Sequence, residues 1–150
     1  MQFLIDKITK LGIGWNERPL TEEDFYSLCA RFGVTVEEET FSKKGFYSCF
    51  GERHLIALDL GLIAQERMRR FVMFHEFAHF LMHEPSTATT VAFHGLGPRT
   101  RAETEADIFA LAAVLPLSLI RCRTPQELID EGFTPDMVRA RFELYDTRRI

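Results

Sequence analysis

FVMFHEFAHFLMH, residues Phe71 to His83, has almost no polar side when wound into a helix. Phe71, Val72, Met73, Phe74, Phe77, Phe80, Leu81 and Met82 cover the helical wheel, and a helix apolar all round is normally buried. The same stretch carries His75, Glu76, His79 and His83. A buried charge or imidazole is costly unless something satisfies it. The fold must therefore enclose this helix and supply a partner for its polar groups.

Spacing says what that partner is. His75 and His79 are one turn apart, so both imidazoles leave the same face. Glu76 is turned about 100° round the axis from His75. This is His-Glu-x-x-His on a helix, where two histidines hold Zn²⁺ and the glutamate is the general base. A catalytic zinc needs a third protein ligand, with water as the fourth. His83 is excluded, because it lies about 12 Å along the axis from His75 at about 1.5 Å per residue. It reads instead as a helix C-terminal residue favoured by the dipole.

A second helix, RTRAETEADIFALAAVLP, offers the missing carboxylate. Glu103, Ala106, Asp107, Ala110 and Val114 share a face, and the alanines allow close approach to the first helix. On this reading Glu103 reaches the metal. Asp107, one turn later, accepts the free N–H of a ligating histidine. Glu105 points along a different line and is the rival ligand.

The rest of the chain predicts an α+β fold. Thr21 caps a helix with Asp24 at its third position, and Gly33 ends it. Val34 to Glu38 reads as a strand. Phe46 to Phe50 and Arg53 to Leu58 read as a hairpin. The motif helix runs from about Leu62 or Gln65 to His83, Glu84 to Arg99 reads as a loop, and Thr100 to Leu115 is the second helix. Thr124-Pro125 and Thr134-Pro135 start two short helices. At 150 residues with 46% hydrophobic content, one domain over 1–150 is expected, with a core over about 21–116 and a helical segment over about 124–148.

Net charge of −4 gives no general attraction for nucleic acid. The acidic residues of 124–148 also argue against reading those helices as a DNA-binding helix-turn-helix. They are expected to pack on the core or to form a partner-docking surface. Three cysteines without a Cys-x-x-Cys pair fit a reducing, cytoplasmic location. No apolar run approaches the roughly 20 residues that span a bilayer.

The motif pair resembles the ImmA/IrrE family of metallopeptidases. His75-Glu76-Phe77-Ala78-His79 is followed by Glu103-x-x-Ala106-Asp107-x-Phe109-Ala110 and Leu115-Pro116. The resemblance covers roughly Thr21 to Pro116, and Asp107 stands where the family has Asn. It implies Glu103 as third ligand, in agreement with the face argument. The element order read above, a small antiparallel sheet packed on a helical core with a zincin-type active-site helix, is compatible with that resemblance. The implied substrate is a helix-turn-helix transcriptional repressor.

The expected reaction is peptide-bond hydrolysis with Glu76 as proton carrier. Tyr47, His94 and Tyr145 are alternative donors to the developing oxyanion. His54 to Leu58 is either a free sheet edge to which substrate adds, or a covered core strand. The alternative function is a metal-containing protein that sequesters a repressor without cutting it.

Overall fold

The computed structural model describes residues 1–40, 42–82, 89–93 and 100–150. Its helices are α1 (Gln2–Thr9), α2 (Glu22–Phe32), α3 (Glu66–Met82), α4 (Arg101–Val114), α5 (Leu117–Ile120), α6 (Pro125–Asp130) and α7 (Pro135–Arg148). Its strands are β1 (Val34–Glu38), β2 (Gly45–Phe50), β3 (Arg53–Leu58) and β4 (Thr89–Ala92), arranged β1-β3-β2-β4.

The α+β class is as expected, and three departures follow from long-range pairing. First, the sheet is mixed: β3 is antiparallel to β2 but parallel to β1. The chain leaves β1, makes the β2–β3 hairpin, and returns β3 alongside β1. Second, β3 is an interior strand, so its edges are covered. The free-edge alternative for His54 to Leu58 is thereby overturned. Third, Thr89–Ala92, inside the expected loop, pairs with β2 as an edge strand. Its Thr-Thr-Val run has β-branched character, and among the described residues β2 gives it a ladder. Also unforeseen were α1, which buries Leu4 and Ile8 one turn apart, and the four-residue α5. His83 and His94 lie outside the described residues.

The local signals elsewhere are read by the backbone as written. Thr21 and Asp24 form a reciprocal capping box, and Gly33 closes α2 in the left-handed conformation. Thr124 and Thr134 cap α6 and α7, each followed by Pro at the first turn. α7 packs on α4 and α6 and buries Met137, Val138, Arg141 and Leu144. It belongs to the core packing.

The helix that opened the problem is the centre of the molecule. α3 is buried without interruption from Arg70 to His79. α4 lies along one side of it, while β2, β3, α2 and α1 supply the others. Phe74 packs on Phe25 and Phe109, and Phe77 on Phe32 and Phe109, with ring centroids 6.0 to 6.5 Å apart. Each of the fully buried rings, Phe25, Phe74, Phe77 and Phe109, contributes about 1.5–3 kcal/mol by leaving water. That burial holds the polar face of α3 in place.

Candidate metal centre

α3 projects His75 and His79 toward α4, and their Nε2 atoms lie 3.1 Å apart. Glu103 Oε2 is 3.4 Å from His75 Nε2, and its Oε1 is 3.2 Å from His79 Nε2. Three ligand atoms at about 2.05 Å from one tetrahedral ion would stand roughly 3.3 Å from one another. The observed triangle has that size. Two imidazoles and a carboxylate are also the donor types that a borderline-soft divalent ion such as zinc takes. These three residues can hold a metal ion.

α4 positions both ends of the His75 ring. Thr100 caps the helix by accepting the Glu103 N–H at 3.1 Å, which fixes the first turn that carries Glu103. One turn on, Asp107 Oδ1 is 2.9 Å from His75 Nδ1. A ring proton on Nδ1, facing this carboxylate, would leave the Nε2 lone pair of a neutral His75 toward Glu103 and His79. The buried alanines Ala106, Ala110 and Ala113 let α4 approach closely enough for these contacts.

Glu105, the rival ligand, faces elsewhere. Its carboxylate takes the Met1 amino group and Arg101 Nε, the latter at 3.0 Å. Of the proposed oxyanion donors, Tyr47 is fully buried and its hydroxyl meets His54 Nδ1 at 2.8 Å. Tyr145 lies on α7 beneath the Arg149 guanidinium.

Glu76 sits on the sheet side of α3. It is fully buried, and neither carboxylate oxygen has a hydrogen-bond partner among the described residues. Burial pushes its pKa up to about 8, opposed by His75, aided by Glu103, and held back further by the nearby backbone N–H groups of Tyr47 and Phe93, which fall short of good hydrogen-bond geometry. An unsatisfied buried carboxyl poised near neutrality is an unusual expense for a fold and is suited to moving protons. The histidines split in the opposite sense. Burial works against protonation of His75, but Asp107 and Glu103 overcome it and raise its pKa. Burial and the neighbouring His75 lower that of His79. Two nitrogens 3.1 Å apart cannot both carry protons toward each other.

Two residues that shape the site had no role in the sequence reading. Gly45 opens β2 against α3, where a Cβ would meet Val72 Cγ1 at 2.8 Å and Glu76 Cγ at 3.3 Å. Its lack of a side chain lets the sheet close over Glu76. A glycine at a strand start was the available signal. Phe93, just past β4, sets its ring edge-on to His75 at 5.0 Å and walls the site. The side chain of His75 has no exposure while Glu103 has 12%. Solvent therefore meets the group from the Glu103 side.

The sequence matches the family Peptidase_M78, described as IrrE N-terminal-like domain, over residues 29–144. No curated protein and no solved structure matches the chain.

Proposed function

This chain belongs to the IrrE N-terminal-like peptidase family, and from that premise we propose that it is a zinc-dependent endopeptidase of narrow specificity. The observation that carries the reading is the His75–His79–Glu103 triangle, with edges of 3.1, 3.2 and 3.4 Å. Zinc held there would supply a Lewis acid that acidifies water and polarises the scissile carbonyl.

The chain's own residues do the rest. Glu76, buried and without a hydrogen-bond partner among the described residues, takes the proton of the attacking water and delivers it to the leaving amine. Asp107 fixes the tautomer and orientation of His75 through the 2.9 Å contact. Phe93 and the aromatic packing of α3 keep bulk water from Glu76. An extended substrate adds to β4, an edge strand whose following residue touches His75.

The resemblance to ImmA/IrrE proteins supports one substrate class: a helix-turn-helix transcriptional repressor, met in the cytoplasm. No described helix is long and apolar enough to cross a membrane. A protein that only sequestered the repressor would have no use for a buried, unsatisfied Glu76.

The test is incubation of the zinc-loaded protein with a helix-turn-helix repressor from the same genome, with and without chelator. The expected result is a single chelator-sensitive cut. Tight binding of an uncut repressor, with or without metal, would replace the peptidase reading with the sequestering one.

A further inference from the structure

A cavity of about 670 Å³ lies between α1, the end of α2, the β2–β3 turn and the last turn of α3. That size suits a small-molecule ligand. None of His75, His79 and Glu103 lines it, so it stands apart from the metal centre and from the peptidase reading. Its floor is apolar, made by Leu11, Phe32, Phe80 and Leu81. The Phe32 and Phe80 rings lie 5.7 Å apart between centroids.

The rim reverses the sign of the molecule. Lys7 and Lys10 line it. Arg31 flanks it, donating to the Leu11 carbonyl at 3.4 Å and lying over the Phe32 ring. Glu52 is the carboxylate of the lining. An excess of cations over one rim is notable on a chain of net charge −4.

Lys7 carries the argument further. Its Nζ donates to the Leu81 carbonyl at 2.6 Å and sits 4.3 Å from the centre of the Phe3 ring. Both partners are neutral, and among the described residues no carboxylate pairs with Lys7 or Lys10. A partly buried ammonium whose described partners are neutral gains a charge-assisted hydrogen bond when an anion arrives beside it. His54 adds a further polar group to the wall, its ring edge-on to Phe80 at 5.0 Å. The cavity is bounded by four elements rather than laid out as a flat face, which favours a compact ligand over a protein surface.

We propose that this cavity binds a small amphipathic molecule whose apolar body rests on Phe32 and Phe80 and whose anionic head, carboxylate or phosphate, is held by Lys7 and Lys10. The test is calorimetric titration of the zinc-loaded, full chain with decanoate, decyl phosphate, 1-decanol and decylamine, each below its micelle concentration. One saturable site is expected for an anionic probe, about tenfold weaker binding for decanol, and none for decylamine. The ratio of decanoate to decyl phosphate affinity identifies the head group. Lys10→Glu, at an exposed position, should weaken anion binding about tenfold. Leu11→Trp, which fills the cavity, should abolish it.

Equal affinity for all four probes, no saturable binding of either anion, or binding unchanged in both variants overturns the proposal. Saturable binding of an acidic, apolar peptide without binding of either anion also overturns it, in favour of a protein-docking site. Should circular dichroism show that Leu11→Trp does not fold, the head-group series on the native chain and on Lys10→Glu decides alone.

Discussion

Two fully buried charged side chains, Glu76 and Arg141, stand at opposite extremes of satisfaction. Arg141 on α7 donates to the Leu115 carbonyl at 2.6 Å, the Ile150 carbonyl at 2.7 Å and Asn16 Oδ1 at 2.8 Å. Burial lowers its pKa to about 10, which still leaves it charged at neutral pH. The guanidinium thus ties together the end of α4, the end of the chain and the segment before α2. Glu76 has no hydrogen bond among the described residues, and burial pushes it toward its neutral form. The difference sets a buried charge held by three hydrogen bonds against one that is poorly satisfied. Poorly satisfied buried charges with shifted pKa values cluster at functional sites, which supports the proposal of Glu76 as the proton carrier.

The comparison can be broken by exchanging each charge for a neutral group. Glu76→Gln should leave fold and metal content intact and lower peptide cleavage by about 10²–10⁴-fold, the usual share of a general base. Cleavage assays beside metal analysis check it, and retained activity would remove Glu76 from the reaction. Arg141→Met should do the reverse. It should cost about 3–5 kcal/mol in denaturant unfolding, because several buried acceptors lose their donor. Zinc affinity should change little.

Smaller effects sharpen the contrast. Asp107→Ala should weaken zinc about 10–100-fold, as loss of a histidine's orienting partner does. Glu105→Ala, whose carboxylate meets Met1 and Arg101, should leave zinc affinity unchanged. Competition with a chromogenic chelator measures both, and the opposite ranking would move the ligand assignment. Gly45→Ala pushes a Cβ into Val72 and Glu76. It should cost about 1–3 kcal/mol in stability, as overpacking does. The smallest effect lies far from the site. The Arg18 hydrogen bond, aided by Thr21, holds the Asp24 carboxyl down at about 2 against the opposing effect of burial. A depressed folded pKa stabilises above the unfolded value of roughly 3.9 and loses that contribution as pH falls toward about 2. Asp24→Asn should therefore flatten the stability curve in that window, seen by thermal unfolding at stepped pH.

The legible parts of the sequence were those in which side chains a few residues apart decide the outcome. The capping box of Thr21 and Asp24, the Pro-initiated helices after Thr124 and Thr134, and the β2–β3 hairpin are of this kind. The convergence of His75 and His79 is also local, fixed by one helical turn. That α4 brings Glu103 to them was readable because its alanines and acids share one face. The parallel pairing of β1 with β3, the strand Thr89–Ala92 and the Arg141 hub depend on partners far along the chain. No local pattern announces them. Gly45 falls between these cases: the residue is plain in the sequence, but the α3 side chains that require it come from another element.

Zinc K-edge X-ray absorption of the purified, zinc-loaded protein, compared with Glu103→Ala, tests the metal centre most directly. The geometry predicts one metal per chain bound by two imidazole nitrogens and light oxygen donors, with one oxygen lost or replaced in the variant. A chain that takes up no stoichiometric zinc, or a coordination shell indifferent to the loss of Glu103, would contradict it.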